Sequence, residues 1–149
     1  MKAWKLYGIG NLRYEDCGMP LPGEGEVLLK VKAAGICGSD VPRVFDTGAH
    51  RHPLVIGHEF SGTVETVESG VDGSWLHRRV GVFPLIPCGK CASCLGGLYE
   101  MCRKYDYLGS RGDGGFAEYV KVPAKNLIEI PPEVSFEEAA MLEPMAVAV

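Results

Sequence analysis

Twenty glycines and ten prolines are scattered through 149 residues, and they interrupt the apolar stretches before any of them outgrows a short strand. Such punctuation disfavours long helices and favours many short strands joined by tight turns. The strands show as alternations. In VLLKVKAAG, Val27, Leu29 and Val31 point one way while Leu28, Lys30 and Lys32 point the other, the period of a strand with one buried face, and Leu28 is the only misfit. FSGTVETVES, RRVGVFPLI, GGFAEYVKV and NLIEI read as further short strands between turn residues. Two places signal helix. SDVPRVF forms a short one with Ser39 or Asp40 at its start, and Ser135 with Glu138 makes a capping box that begins another near Phe136. Pro144 then breaks that helix or opens a new one. The fold class is mainly β.

A chain of 149 residues fits one domain, residues 1–149, with a buried core. It holds no apolar run near the roughly 18 to 20 residues that cross a bilayer, so no membrane partner is expected. The N-terminal MKAWKLYGIG lacks the continuous apolar segment and small-residue cleavage site of a secretory signal, which points to a reducing, cytoplasmic setting. A net charge of −4 argues against a surface that tracks phosphates, and nucleic acid is not an expected partner.

Four of the six cysteines, Cys88, Cys91, Cys94 and Cys102, are spaced C-x2-C-x2-C-x7-C on a glycine-bearing loop. Four thiolates at that spacing converge on one tetrahedral ion, with zinc the expected occupant. Two alternatives fit less well. An iron–sulfur cluster shares the opening, but the ferredoxin run continues with x3-C-P. Paired disulfides are disfavoured by the reducing setting. A zinc with four thiolates has no vacancy for substrate, so residues 88–102 form a structural lobe and chemistry must lie elsewhere. Cys37 in GICGSD and His58 in GHEFSG, each unremarkable alone, together suggest a second, open metal corner.

The runs GICGSD, GHEFSG, the four-cysteine lobe, DGGFAEY and LEP follow one another over nearly the whole chain, and the set resembles the zinc-dependent medium-chain alcohol and polyol dehydrogenases. The resemblance implies a GroES-like (chaperonin-10-like), partly open β-barrel with short helices and a zinc-binding lobe. It also implies two zinc ions per chain. The catalytic one is held by Cys37, His58 and Glu143, and the pair Glu143 and Pro144 matches the polyol branch. Sulfur, nitrogen and oxygen ligands from three distant segments leave a fourth tetrahedral position open. Glu59 is expected to hydrogen-bond a water at that position, the alternative being a labile ligand to the ion. Asp40 either accepts the other N–H of His58 or simply starts a helix. Ser39 resembles the family's relay hydroxyl, which takes the alcohol proton before hydride passes to a nicotinamide.

Within the polyol branch, the likeness implies a small-molecule polyol or polyol phosphate as substrate, with galactitol 1-phosphate first and sorbitol second. Arg43 or His50 is the nearest candidate for a phosphate. SRGDGG reads as a turn built on Asp113. No G-x-G-x-x-G lies between a strand and a helix, so NAD or NADP is expected to bind through a Rossmann domain absent from this chain, leaving the isolated chain inactive. The apolar MAVAV end, without a stop signal, suggests an unpartnered interdomain helix, and a homo-oligomer is expected. A threonine-type dehydrogenase, a zinc-binding module without enzymatic activity, or a ring-forming co-chaperone are the competing readings.

Overall fold

The longest strand, β3 (Glu26–Gly35), forms where the alternation predicts it, with Val27 and Leu29 fully buried. Leu28 is buried as well; the other face of this sheet is partly covered by helix α3 (Phe136–Ala140), which packs on it. The computed structural model describes residues 1–148. Around β3 lies a five-stranded sheet that also contains β5 (Glu59–Val67), β6 (Arg79–Val82), β9 (Tyr119–Pro123) and β10 (Leu127–Glu129), in the order β10-β6-β5-β3-β9. A second sheet joins β1 (Lys2–Leu6) to β2 (Leu12–Asp16) and β4 (Leu54–Val55). The two sheets meet where Trp4 N–H donates to Phe116 O at 2.8 Å and Glu118 N–H donates to Lys2 O at 3.0 Å, closing a partly open barrel. Its main core gathers Val27, Leu29, Phe60, Val64, Val80 and Val122.

RRVGVFPLI forms two strands, β6 and β7 (Leu85–Ile86), split at Phe83-Pro84. Buried Asn126 holds the kink by donating to Phe83 O at 2.6 Å and Leu85 O at 2.7 Å. Among the described residues β7 pairs only with β8 (Asp106–Tyr107), and this ribbon brackets the cysteine loop and its short helix α2 (Ala92–Leu95). SDVPRVF becomes α1 (Asp40–Phe45), with Ser39 at the N-cap position but without a side-chain capping bond. The capping box of Ser135 and Glu138 is present and starts α3 at Phe136. Pro144 opens a new helix, α4 (Leu142–Ala148), in whose first turn a missing N–H costs nothing. Met145 and Val147 of α4 are exposed; Val149, the last residue of MAVAV, lies outside the described residues. Among the described residues, no helix is long and apolar enough to cross a membrane.

The segment Gly114 to Phe116 runs against Val55 to Gly57, with N–H groups of 114, 115 and 116 donating to the carbonyls of 55, 57 and 56 at 2.8 to 3.0 Å. The backbones pass so close that a side-chain carbon at Gly109 or Gly114 would overlap the Gly57 carbonyl, and one at Gly109 would lie 2.8 Å from His58 N. Gly109 also has φ +77, whereas Gly10 (φ +70) faces open space. Gly10→Ala should cost about 1–2 kcal/mol for its backbone conformation alone. Gly109→Ala adds the overlap and should cost about 3 kcal/mol or more, compared by urea denaturation of the two variants.

Candidate metal centre

Strand register assembles the open site. Gly35 at the end of β3 pairs with Glu59 at the start of β5, so Cys37, just beyond Gly35, and His58, just before Glu59, leave the sheet side by side. One ligand atom from each of Cys37, His58 and Glu59 lies within 4.8 Å of the others. Gly35 makes the space, since a side-chain carbon there would overlap the Glu59 carboxylate. His58 and Glu59 are each 5% exposed and Asp40 is 2% exposed, which leaves their polar atoms dependent on one another.

The start of α1 braces this cluster. Cys37 N–H donates to Asp40 Oδ2 at 3.1 Å, and Ser39 N–H donates to Cys37 Sγ at 3.5 Å. Asp40 Oδ1 takes the Arg43 guanidinium and lies 3.7 Å from His58 Nδ1. That approach is too long for a hydrogen bond. His58 Nδ1 is buried with no bonded partner among the described residues. With Nδ1 on the Asp40 side, Nε2 is the nitrogen left for an ion. The set fits a divalent cation on two counts. Its sulfur, nitrogen and oxygen donors suit zinc. Asp40 is paired with Arg43, whereas the buried Glu59 carboxylate has no ion pair among the described residues, and uncompensated buried charge is costly.

Glu143, expected as the third ligand, is not among the three groups whose ligand atoms lie within 4.8 Å of one another; Glu59 is. The reason is a competing partner. Ser61 Oγ donates to Phe136 O, while Arg79 donates to Pro132 O at 2.8 Å and Val134 O at 2.6 Å, and these bonds seat α3 on the sheet. α4 follows with Glu143 in its first turn, where Oε1 accepts from the Tyr107 O–H at 2.8 Å. The Tyr107 ring meets His58 edge-on, with centroids 5.9 Å apart. Burial first, then the bond to Glu143, hold the Tyr107 phenol well above its ordinary range, so it is a donor at neutral pH. Nothing in the sequence singled out Tyr107; its one signal is its place just after the lobe. Of the other expected residues, Ser39 is exposed beside Cys37, and His50 is exposed between α1 and β4. Arg43 is mostly buried against Asp40, not displayed toward solvent.

In the lobe, Cys88, Cys91, Cys94 and Cys102 converge. Sulfur separations are 3.4 Å for Cys91 to Cys94 and 3.9 Å for Cys88 to Cys94 and for Cys91 to Cys102. A tetrahedron with Zn–S bonds of about 2.3 Å has edges of about 3.8 Å. All six cysteines are free. N–H donors of Lys90 and Cys91 pull the Cys88 thiol down to about 6, while burial pushes Cys94 up to about 12.

Residues 23–132 match the alcohol dehydrogenase GroES-like domain. The chain belongs to this family. It is 47% identical over 139 residues to galactitol 1-phosphate 5-dehydrogenase of Escherichia coli (strain K12), a match covering 93% of this chain and 40% of that protein. It is 35% identical to sorbitol dehydrogenase of Bacillus subtilis (strain 168), over 100% of this chain and 44% of that protein. The crystal structure of Escherichia coli galactitol-1-phosphate dehydrogenase superposes with a TM-score of 0.92 at 44% identity, covering 99% of this chain and 43% of the other. That of a short chain alcohol dehydrogenase (rspB) from Escherichia coli CFT073, complexed with NADH, gives 0.92 at 41% identity over 99% and 43%. The chain thus spans less than half the length of each of these GroES-like relatives.

Because Cys88 titrates near 6, it is a thiolate at pH 7.5 before an ion arrives, whereas Cys94 must give up its proton on binding. Zinc uptake by the lobe at pH 7.5 should therefore release fewer than four protons, and lowering the pH below about 6 should raise the number released, as read by calorimetry in buffers of different ionisation enthalpy.

Proposed function

We propose that this chain is the catalytic portion of a zinc-dependent dehydrogenase that oxidises a sugar alcohol or sugar-alcohol phosphate to a ketone with NAD or NADP, with galactitol 1-phosphate as the favoured substrate. The observation that carries this reading is the convergence of Cys37, His58 and Glu59 at one corner of the barrel, with Glu143 one side chain away. The 47% identity to galactitol 1-phosphate 5-dehydrogenase supports the substrate. Sorbitol is the second choice, supported by the lower identity to sorbitol dehydrogenase. The nicotinamide cofactor is assigned to a portion outside these 149 residues, so the chain alone binds metal and turns over little substrate.

Cys37, His58 and a carboxylate hold the ion, and Arg43 fixes Asp40 so that Cys37 and His58 keep their places. A zinc ion bound there supplies the positive charge that makes an alcohol hydroxyl acidic at neutral pH, and the nicotinamide accepts the hydrogen with its electron pair. Ser39 Oγ, exposed and not used in capping, receives the alcohol proton and passes it to solvent. With Arg43 held by Asp40, a substrate phosphate is left to His50.

Metal analysis of the purified chain should find two zinc ions, of which Cys37→Ser removes one while the lobe ion stays. A single ion, insensitive to Cys37→Ser, would leave only a zinc-binding module. Joined to a dinucleotide-binding domain, the chain should reduce NAD faster with galactitol 1-phosphate than with sorbitol, and the reverse order reassigns the substrate.

A further inference from the structure

Tyr107 is in contact with both sides of the open corner. Its ring packs edge-on against the His58 imidazole at 5.9 Å, and its hydroxyl donates to Glu143 Oε1 at 2.8 Å. The first contact comes from a strand of the β7–β8 ribbon onto the start of β5, and the second reaches the first turn of α4. Two carboxylates therefore stand near the open corner, and they are treated differently. Glu59 lies with Cys37 and His58 inside 4.8 Å, whereas Glu143 stands outside that set with an oxygen bound to the phenol.

We propose that Tyr107 is a positioning residue that restrains Glu143, so that the open site is completed by Glu59 and takes on Glu143 only when the Tyr107 to Glu143 hydrogen bond opens. The inference rests on the metal-site reading above and deepens it. Moving Glu143 onto an ion while Glu59 stays would fill the tetrahedral position that an alcohol needs. A hydroxyl that holds Glu143 back keeps that position available. Removing the hydroxyl keeps the ring against His58, so the change isolates the restraint from the packing.

Cobalt(II) serves as the probe, because sulfur ligation gives a charge-transfer band and coordination number changes the visible spectrum. The chain carrying zinc in its lobe is titrated with cobalt(II) as wild type, Tyr107→Phe, Glu143→Gln and the double variant, with Cys37→Ser marking the band of the open site. Tyr107→Phe should bind cobalt(II) about tenfold more tightly, in the range by which groups around a metal's ligands shift affinity. Its visible bands should also shift in position as a carboxylate takes the fourth place that water holds in the wild type. Glu143→Gln should abolish both effects in the double variant. Equal affinity and spectrum in wild type and Tyr107→Phe overturn the inference, as does weaker binding, which makes Tyr107 an orienting donor. An effect that survives Glu143→Gln also overturns it. If no protein shows a band dependent on Cys37, the open-site reading falls and takes this inference with it; a normal band with equal affinities removes the inference alone.

Discussion

Three stretches of backbone cross in contact beside His58, at Gly57, Gly109 and Gly114, and the site depends on that crossing. Protein interiors are packed densely enough that one extra carbon at such a point forces whole segments apart. Here the segments are the entry to β5, which carries His58 and Glu59, and the turn that follows Tyr107. Asp113 ties the same turn to the second sheet, its Oδ1 accepting from Val55 N–H at 3.0 Å and Arg51 at 2.9 Å. The ligands are thus held by main-chain proximity before any ion contributes. That is the preorganisation an open site requires, because it has fewer protein ligands to organise it than a closed one.

The closed and open centres sit at opposite ends of one short ribbon. Residues 88–102 hang from β7 and β8, and β8 ends in Tyr107, whose ring touches His58. Asn126 clamps the ribbon's root to the main sheet through two carbonyls. A loop of this length has scant means of fixing its own shape, and four thiolates gathered on one ion would supply what a core would. The lobe is thereby continuous with the open corner, since the strand that leaves it ends in the ring that meets the histidine.

Much of the architecture was legible locally. The alternation in VLLKVKAAG, the capping box at Ser135 and the C-x2-C-x2-C-x7-C spacing each depend on residues close in sequence, and each appears where expected. Cys37 and His58 were legible because their motifs flank strand ends. What was hidden depends on contacts between distant segments. That Glu143 is hydrogen-bonded to a tyrosine on β8 while Glu59 lies with Cys37 and His58 is one such contact, and no local pattern in KYDYLG signals it. Arg43 looked like a surface cation free for a phosphate; its i,i+3 relation to Asp40 on α1 instead turns it inward. The two glycines after Asp113 read as turn residues, whereas Gly114 serves a backbone crossing.

Charge gives the arrangement its logic. Count Cys37 as a thiolate when it ligates, Asp40 and Glu59 as ionised, and Arg43 as the one local cation; a divalent ion then brings the buried cluster to neutrality. Adding an ionised Glu143 leaves one net negative charge. In a region this shielded from water such a charge is poorly screened, and it opposes the approach of a phosphorylated substrate and the loss of a proton from an alcohol. A hydroxyl that keeps Glu143 nearby but outside the cluster preserves both the neutral balance and the vacant position. The same bond solves a second problem, since Glu143 is partly buried at the start of α4 and Tyr107 gives its carboxylate a donor where water has limited access.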